Sequence, residues 1–117
     1  MGFKTYNKYK NKKVIIDGIR FDSKNEGGRY FELKLLEKAG EIYNLELQPE
    51  FIICPAVNWN GKKFRARKYR ADFKYIDNRG KTIVEDFKGY QTPEYKLKRQ
   101  LFLSVYQDIY TFKEVYR

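Results

Sequence analysis

Apolar and polar residues alternate along two neighbouring stretches of the chain, and this alternation predicts a β-hairpin. The two stretches are Tyr69–Ile76 and Thr82–Phe87, and the residues between them, Asp77–Gly80, have the composition of a turn. Each stretch contains an acid, Asp72 or Asp86, where a core strand usually has an apolar side chain. Burial of an unpaired carboxylate costs several kcal/mol, so a cation or hydrogen bonds must compensate at both positions.

A short hairpin and a first helix are predicted before these strands. Val14–Ile16 and Ile19–Phe21 flank an Asp-Gly pair, which is a strong hairpin signal. Ser23 and Glu26 have the spacing of a capping box, and apolar residues then recur at helical intervals until Gly40. We expect one packed helix face formed by Tyr30, Phe31, Leu33, Leu35, Leu36 and Ala39.

Further strands follow the first helix. Glu41–Gln48 and Phe51–Val57 predict a strand pair that is interrupted at Pro49. Trp59–Gly61 predicts the next turn, because Asn-Gly is a preferred turn pair. A final strand is predicted over Ile109–Val115.

A second helix is predicted over Pro93–Tyr106. Thr92 has the position of an N-cap, Pro93 that of the first helical residue, and Glu94 places an acid in the first turn. We expect this helix to bury Tyr95, Leu97, Leu101, Phe102 and Val105 and to expose Lys96, Arg99 and Gln100. Because the helix connects two strands, we expect those strands to be parallel neighbours joined by a right-handed crossover.

This order of elements predicts an α+β (α/β) fold, with a mixed β-sheet core flanked by helices. A chain of 117 residues is long enough for one hydrophobic core but not for two. We therefore expect a single domain over residues 14–117, preceded by a basic and flexible arm over residues 1–13.

The chain carries a formal charge of +10, so a polyanionic partner is the first expectation. In the arm, Lys12 and Lys13 are expected to contact phosphate, although a merely solubilising tail would have the same composition. Further candidates for nucleic-acid contacts follow the predicted turn, and they are Lys62, Lys63, Arg65, Arg67, Arg70 and Lys74. The alternative is that these charges protect an edge strand from pairing with another chain. We favour phosphate contacts.

Several classes of protein are excluded by what the sequence lacks. It has no histidine, which excludes histidine-dependent nucleases, Ser-His hydrolases and histidine metal sites. Its single cysteine, Cys54, excludes an intramolecular disulfide and a zinc–cysteine cluster. It also has no phosphate-binding glycine-rich motif, no signal peptide and no apolar segment of about 18 residues, so we expect a cytoplasmic protein that does not bind a membrane.

Asp72, Asp86 and Lys88 are the first candidates for a catalytic site. Strand side chains alternate between faces, so Asp86 and Lys88 project the same way, and Asp72 can join them from the paired strand. Carboxylate ligands without thiolate or imidazole favour Mg²⁺ or Mn²⁺. The alternative is a cross-strand salt bridge on a solvated sheet face. Glu26 also has two explanations, as a capping-box acid or as an acid that reaches from the helix toward the metal site.

These residues follow one another in a recognisable order. An acid on the first helix is followed by Ala-Asp at 71–72, by Asp-Phe-Lys at 86–88, and by a second helix. This order resembles the PD-(D/E)XK nuclease superfamily, with alanine in place of the proline of the motif. The chain is also similar, over roughly residues 6–106, to a family of small phage-encoded proteins described as Holliday-junction-resolvase-like. The resemblance implies a restriction-endonuclease-like fold.

The resemblance also implies metal-assisted hydrolysis of phosphodiester bonds in DNA. Asp72 and Asp86 would hold one or two Mg²⁺ ions, or Mn²⁺, with the Phe87 carbonyl as a further ligand. Glu26 would ligate or position the metal from the helix. Lys88 would orient or help to deprotonate the attacking water and would counter the charge on the phosphate.

In particular, the resemblance implies a four-way-junction resolvase that acts on branched DNA as a homodimer, in a phage-infected bacterial host. Two symmetric cuts need two active sites in a fixed relation, which a two-fold dimer supplies. Gln91 and Lys96 would lie near the scissile phosphate. A nicking enzyme or an exonuclease would use the same chemistry, and an RNA-directed nuclease fits the sequence as well. A non-catalytic DNA-binding or replication accessory module is the alternative of another class, and its acids and lysine would form a structural ion-pair cluster.

Overall fold

A computed structural model describes residues 14–21, 24–88 and 90–116. Of Val14 and Lys88 it describes the backbone alone. The predicted arm over residues 1–13, with Lys12 and Lys13, and the predicted helix cap Ser23 lie outside the described residues. The elements in chain order are β1 (Val14–Ile16), β2 (Ile19–Phe21), α1 (Lys24–Lys38), β3 (Ile42–Leu47), β4 (Glu50–Cys54), β5 (Val57–Trp59), β6 (Lys62–Phe64), β7 (Arg67–Arg70), β8 (Phe73–Asp77), β9 (Thr82–Lys88), α2 (Pro93–Tyr106) and β10 (Thr111–Tyr116). The fold is α+β, as the sequence predicts.

A four-stranded mixed sheet forms the centre of the fold, in the order β10-β9-β8-β3. β8 and β9 form the predicted hairpin, which is closed by the turn between Asp77 and Lys81. β10 pairs with β9 in parallel, with Glu114 opposite Asp86, so the expected parallel neighbour after the second helix is confirmed. The smaller sheets are the antiparallel pairs β1–β2, β4–β7 and β5–β6.

The chain bends where it passes between the central sheet and the β4–β7 pair. The sequence predicted one strand over residues 69–76 and a pairing of β3 with β4, and both predictions are wrong, because β3 pairs with β8 while β4 pairs with β7. At the bend, the Gln48 N–H donates to the Asp72 carbonyl at 2.8 Å, and the Ala71 N–H donates to the Pro49 carbonyl at 3.1 Å. Gln48 has a φ of 50°, which turns the chain out of the sheet ahead of Pro49.

Local signals place both helices correctly. The Thr92 Oγ1 accepts a hydrogen bond from the Tyr95 N–H at 3.0 Å, and Pro93 begins α2, so the predicted bounds of this helix are confirmed. α1 ends before Gly40, whose φ of 81° favours glycine. Neither of the described helices is long and apolar enough to cross a membrane.

Two apolar clusters form the core, and β9 contributes to both because its side chains alternate between faces. The cluster against α1 contains Phe21, Tyr30, Leu33, Ile42, Phe73, Tyr75 and Ile83. The cluster against α2 contains Phe51, Ile53, Tyr69, Ala71, Val84, Tyr95 and Phe102. The predicted helix faces were too wide, because only a narrow stripe of each helix meets the sheet, and Phe31, Leu35, Leu36, Leu97 and Val105 are exposed.

Candidate active site

Asp72 lies at the bend between β7 and β8, and both its main chain and its side chain contact β9. Its N–H donates to the Glu85 carbonyl at 3.1 Å, which extends the pairing of β8 with β9 by one residue. Its carboxylate Oδ2 accepts a hydrogen bond from the Phe87 N–H at 2.6 Å. Because these two contacts are made by the residues on either side of Asp86, they hold the Asp72 carboxyl group beside that residue.

Asp86 is 1% exposed and lies on the face of β9 that packs against α2. The Tyr69 hydroxyl donates a hydrogen bond to its Oδ2. The charge of the Asp86 carboxyl group is also close enough to raise the pKa of Asp72. The two acids that the sequence singled out are thus neighbours in the fold.

The environment of Asp72 favours its protonated form. Burial is the largest cause, followed by repulsion from the charges of Asp86 and then Glu26, and together they raise the pKa of Asp72 to about 8. The hydrogen bond from the Phe87 N–H acts in the opposite direction and lowers this pKa. At neutral pH the Asp72 carboxyl group therefore keeps its proton.

Glu26 joins the two aspartates from the first turn of α1. It is buried, and its charge is among those that raise the pKa of Asp72. The acids at 72 and 86 are therefore neighbours, and Glu26 lies within electrostatic reach of Asp72. The capping role of Glu26 stays a prediction, because Ser23 lies outside the described residues.

The structure describes Lys88 only through its backbone, as the last residue of β9, opposite Tyr116 of β10. The placement of its amine stays a prediction. Phe87 is half-buried, and its N–H already positions Asp72. The use of its carbonyl as a metal ligand is likewise a prediction.

The chemistry of the three acids suits a hard divalent cation, because all the side-chain donors are carboxylate oxygens. Within the described part of the chain, no three acidic or cysteine side chains are arranged as a ready metal cluster. Instead, Asp72 keeps a proton at the place where a cation would offset the charges of the acids. The donor set therefore fits Mg²⁺ or Mn²⁺ on the condition that the cation displaces this proton.

A second buried acid, Glu85, faces the opposite side of β9 and is neutralised by α1. The Arg29 guanidinium donates to both of its carboxylate oxygens, from Nε at 2.5 Å and from Nη2 at 2.9 Å. The Tyr75 hydroxyl donates to Oε2 at 2.7 Å. Glu85 is 0% exposed, so this network fixes α1, and with it Glu26, against the sheet. Because Glu85 is bound by Arg29 and Tyr75 on the other face, Asp86 is the acid of β9 that belongs to the candidate site.

Glu114 is a further acid near the site, and the sequence analysis did not single it out. In β10 it lies opposite Asp86, and it accepts hydrogen bonds from the hydroxyls of Tyr95 and Tyr116 and from Arg99 Nη1, the last at 2.8 Å. Partial burial favours its protonated form, but the bonds from Tyr116, Tyr95 and Arg99 outweigh burial and lower the pKa of Glu114. Glu114 therefore anchors α2 to the sheet beside the aspartates.

No local pattern in the sequence identifies Tyr69 and Arg29 as partners of these acids. Tyr69 and Asp86 are 17 residues apart and lie on strands that do not pair with each other. Arg29 and Glu85 are 56 residues apart. The alternation of side chains between strand faces was the only signal for these contacts. It indicates which side chains meet only after the pairing of the strands is known.

The predicted nucleic-acid contacts fall into two groups. The exposed basic residues are Lys62 and Lys63 in β6, Arg65, Arg67 and Arg70 in and before β7, and Lys96 in α2. Lys74 is half-buried, pairs with Glu46 at 3.8 Å and lies 5.3 Å from the ring centre of Tyr110, while Gln91 donates to the Tyr116 hydroxyl. Lys74 and Gln91 are thus engaged within the protein.

A groove of about 410 Å³ lies beside the aspartate pair. Tyr69, which contacts Asp86, and Tyr95 line it together with Lys68, Arg70 and Lys98. Two acids line it as well, since Lys68 pairs with Glu50 at 3.6 Å and Lys98 pairs with Glu94 at 3.2 Å. Three cations and two acids leave the lining with a net charge of +1 beside the candidate site.

Comparison with known proteins identifies a protein family that matches this chain. Neither the curated proteins nor the solved structures contain a match. The family model described as "Protein of unknown function (DUF1064)" matches residues 6–115, which is nearly the whole chain. The chain therefore belongs to the DUF1064 family.

Proposed function

We propose that this protein is a metal-dependent, structure-selective DNA endonuclease, and in particular a four-way-junction resolvase that hydrolyses phosphodiester bonds. The observation that supports it is the convergence of Glu26, Asp72 and Asp86 in a protein with a formal charge of +10. Three carboxylates in one buried place repel one another, and a divalent cation is the partner that would offset this repulsion. The positive charge outside the site suits a polyanionic substrate. Such an enzyme would act in the cytoplasm, where its DNA substrate lies.

In this proposal the acids hold the cation. Asp72 and Asp86 would be its ligands, with Glu26 and the Phe87 carbonyl as further oxygen donors. When bound, a divalent cation lowers the pKa of a coordinated water and stabilises the charge that develops on the phosphate. The acids must be deprotonated to bind it, so Asp72 would first lose its proton.

Neighbouring residues position these groups. Tyr69 donates to Asp86 and the Phe87 N–H donates to Asp72, which fixes one oxygen of each carboxylate. We propose that Lys88, at the end of the same strand, orients the attacking water and counters charge on the phosphate. The lysine needs no histidine as a partner, which agrees with a chain that has none.

Incubation with labelled DNA tests the proposal. The wild-type protein, Asp86→Asn and Asp108→Asn are each mixed with a four-way junction, a flap and a linear duplex, in Mg²⁺, Mn²⁺ or EDTA. Asp108 is exposed, so its substitution makes the same chemical change away from the site. We expect metal-dependent cutting of the junction by the wild type and by Asp108→Asn, whereas Asp86→Asn binds without cutting. Cutting by Asp86→Asn at the wild-type rate would refute the assignment.

A non-catalytic DNA-binding module is the second candidate. What favours it is that a proton on Asp72 relieves part of the repulsion among the acids, and that no ready metal cluster occurs within the ranges that the structure covers. A module of this kind would retard all three DNA substrates and cut none of them in either metal.

We further propose that the enzyme acts as a homodimer. An exposed apolar strip on α1, formed by Phe31, Leu35 and Leu36, is the kind of surface that a dimer buries. Leu35→Glu should give a monomer in sedimentation velocity and should convert paired cuts in a junction into single nicks. A wild-type protein that sediments as a monomer on the junction would contradict this part of the proposal.

A further inference from the structure

The β5–β6 pair forms a short two-stranded ribbon outside the central sheet. Val57 pairs with Phe64 and Trp59 pairs with Lys62. The turn between the strands has positive φ at both central residues, 52° at Asn60 and 76° at Gly61, which is the geometry that Asn-Gly favours in tight hairpins. The ribbon is therefore a locally specified structure.

One face of this ribbon is apolar and exposed. Because cross-strand partners lie on the same face, Val57, Trp59, Phe64 and Lys62 project together. Their exposed fractions are 49% for Val57, 63% for Trp59 and 43% for Phe64. Among the described residues, neither core cluster includes a member of the ribbon. Three large apolar side chains exposed side by side are typical of an interaction surface.

The charge around the ribbon identifies the class of partner. Between Glu50 and Asp72 the chain contains no acid. The same segment contains six basic residues, all of them exposed, namely Lys62, Lys63, Arg65, Arg67, Lys68 and Arg70. An aromatic side chain among exposed cations suits a nucleic acid, because the ring stacks on a base while the cations contact phosphates.

The ribbon is also continuous with the candidate active site. β6 leads through Arg65 into β7, where Tyr69 contacts Asp86. A groove of about 710 Å³ lies between this basic segment and α2, with Arg65, Arg67 and Lys98 among its lining residues. A strand of nucleic acid on the ribbon would thus be led along a positive surface toward the acids.

We propose that the β5–β6 ribbon recognises unstacked bases in branched DNA, with Trp59 stacking on a base that is exposed at the branch point. In an intact duplex every base is already stacked, so Trp59 gains this contact only where pairing is interrupted. The ribbon therefore confers the structure selectivity of the enzyme. This inference rests on the proposed function for its substrate, DNA, but not on cleavage.

Trp59 is the only tryptophan of the chain, so its fluorescence reports on this contact directly. Asp86→Asn in EDTA is titrated with a four-way junction and with a duplex of the same arm sequence. We expect the junction to quench the tryptophan emission strongly and the duplex to quench it weakly. Unchanged emission at saturating junction would overturn the inference.

Substitution of the side chain gives a second readout. Stacking on one base contributes about 1–3 kcal/mol, so Trp59→Ala should weaken junction binding by about 5- to 150-fold, measured by fluorescence anisotropy of labelled DNA. Duplex binding should change much less, and Trp59→Phe should retain most of the junction affinity. Ile109→Ala is the matched control, because Ile109 is also 63% exposed but lies in the turn between α2 and β10. Equal junction affinities of Trp59→Ala and the wild type would overturn the inference.

The two proposals fail in different ways. If the wild type cuts junctions while the emission of Trp59 stays constant, the ribbon inference is wrong and the nuclease proposal stands. If the junction quenches Trp59 but no metal supports cutting, the nuclease proposal is wrong and the ribbon inference stands. If the protein binds no DNA at all, both are wrong.

Discussion

The raised pKa of Asp72 predicts an unusual dependence of stability on pH. In the unfolded chain this carboxyl group titrates near 3.8, whereas in the fold its pKa is about 8, because of burial and of the charges of Asp86 and Glu26. Between these two values the folded protein binds a proton that the unfolded chain has lost. The contribution of Asp72 to the free energy of unfolding is therefore fully present below about pH 4, falls as the pH rises, and is lost above about pH 8.

The size of this effect follows from the linkage relation. One group that is protonated only in the folded state costs about 1.4 kcal/mol of stability for each pH unit, which is about 3 kcal/mol between pH 5 and pH 7. Asp72→Asn removes the titration and keeps an oxygen that can accept the hydrogen bond from the Phe87 N–H. Between pH 5 and pH 7, the free energy of unfolding of the wild type should therefore fall by about 3 kcal/mol more than that of Asp72→Asn.

Urea unfolding followed by circular dichroism, in EDTA at pH 5, 6 and 7, measures the difference. Asp108→Asn is the control, because Asp108 is exposed and the variant should follow the wild type at every pH. Parallel curves for Asp72→Asn and the wild type would refute the reasoning, since Asp72 would then titrate alike in the folded and unfolded chains.

Three further substitutions test the contacts around the site, each by urea unfolding at pH 7. Tyr69→Phe removes the hydrogen bond to Asp86 but keeps the ring, and should cost about 1–3 kcal/mol of stability; an unchanged stability would mean that this bond contributes nothing. Glu85→Gln leaves the Arg29 guanidinium without its buried carboxylate and should cost about 3–5 kcal/mol, and a loss below 1 kcal/mol would contradict the role of this pair. Thr92→Ala removes the cap of α2 and should cost about 1 kcal/mol, whereas Thr92→Ser should be nearly neutral; equal losses in both variants would argue against capping.

Local chemistry determined the parts of the fold that the sequence predicted well. The β1–β2 hairpin and the turn at Trp59–Gly61 were confirmed because Asp17-Gly18 and Asn60-Gly61 adopt positive φ at neighbouring residues, which few other pairs do easily. The bounds of α2 were confirmed because the cap at Thr92 acts within one helical turn.

The parts that the sequence predicted poorly depend on contacts between distant segments. The partner of β4 could not be inferred from residues 41–57, because the bend at Gln48 and Pro49 sends the chain to β7. The exposure of Phe31 and Leu97 could not be inferred either, because helical periodicity does not reveal how wide a stripe the sheet covers.

For the candidate site, the sequence placed the acids but not their partners. Asp86 lies on the face of β9 that packs against α2, and Glu85 lies on the other face, since strand side chains alternate between faces in any sheet. The raised pKa of Asp72 was not predicted, because it depends on the depth of burial and on how closely the charges of Asp86 and Glu26 approach.

Direct binding of Mn²⁺ tests the central claim that the acids at 26, 72 and 86 form a cation site. Electron paramagnetic resonance at pH 8.5 detects free Mn²⁺, so bound ion appears as a loss of signal. We expect the wild type and Asp108→Asn to bind Mn²⁺ and the double variant Asp72→Asn/Asp86→Asn to leave the signal unchanged. Equal binding by the double variant, or no binding by the wild type, would contradict the account.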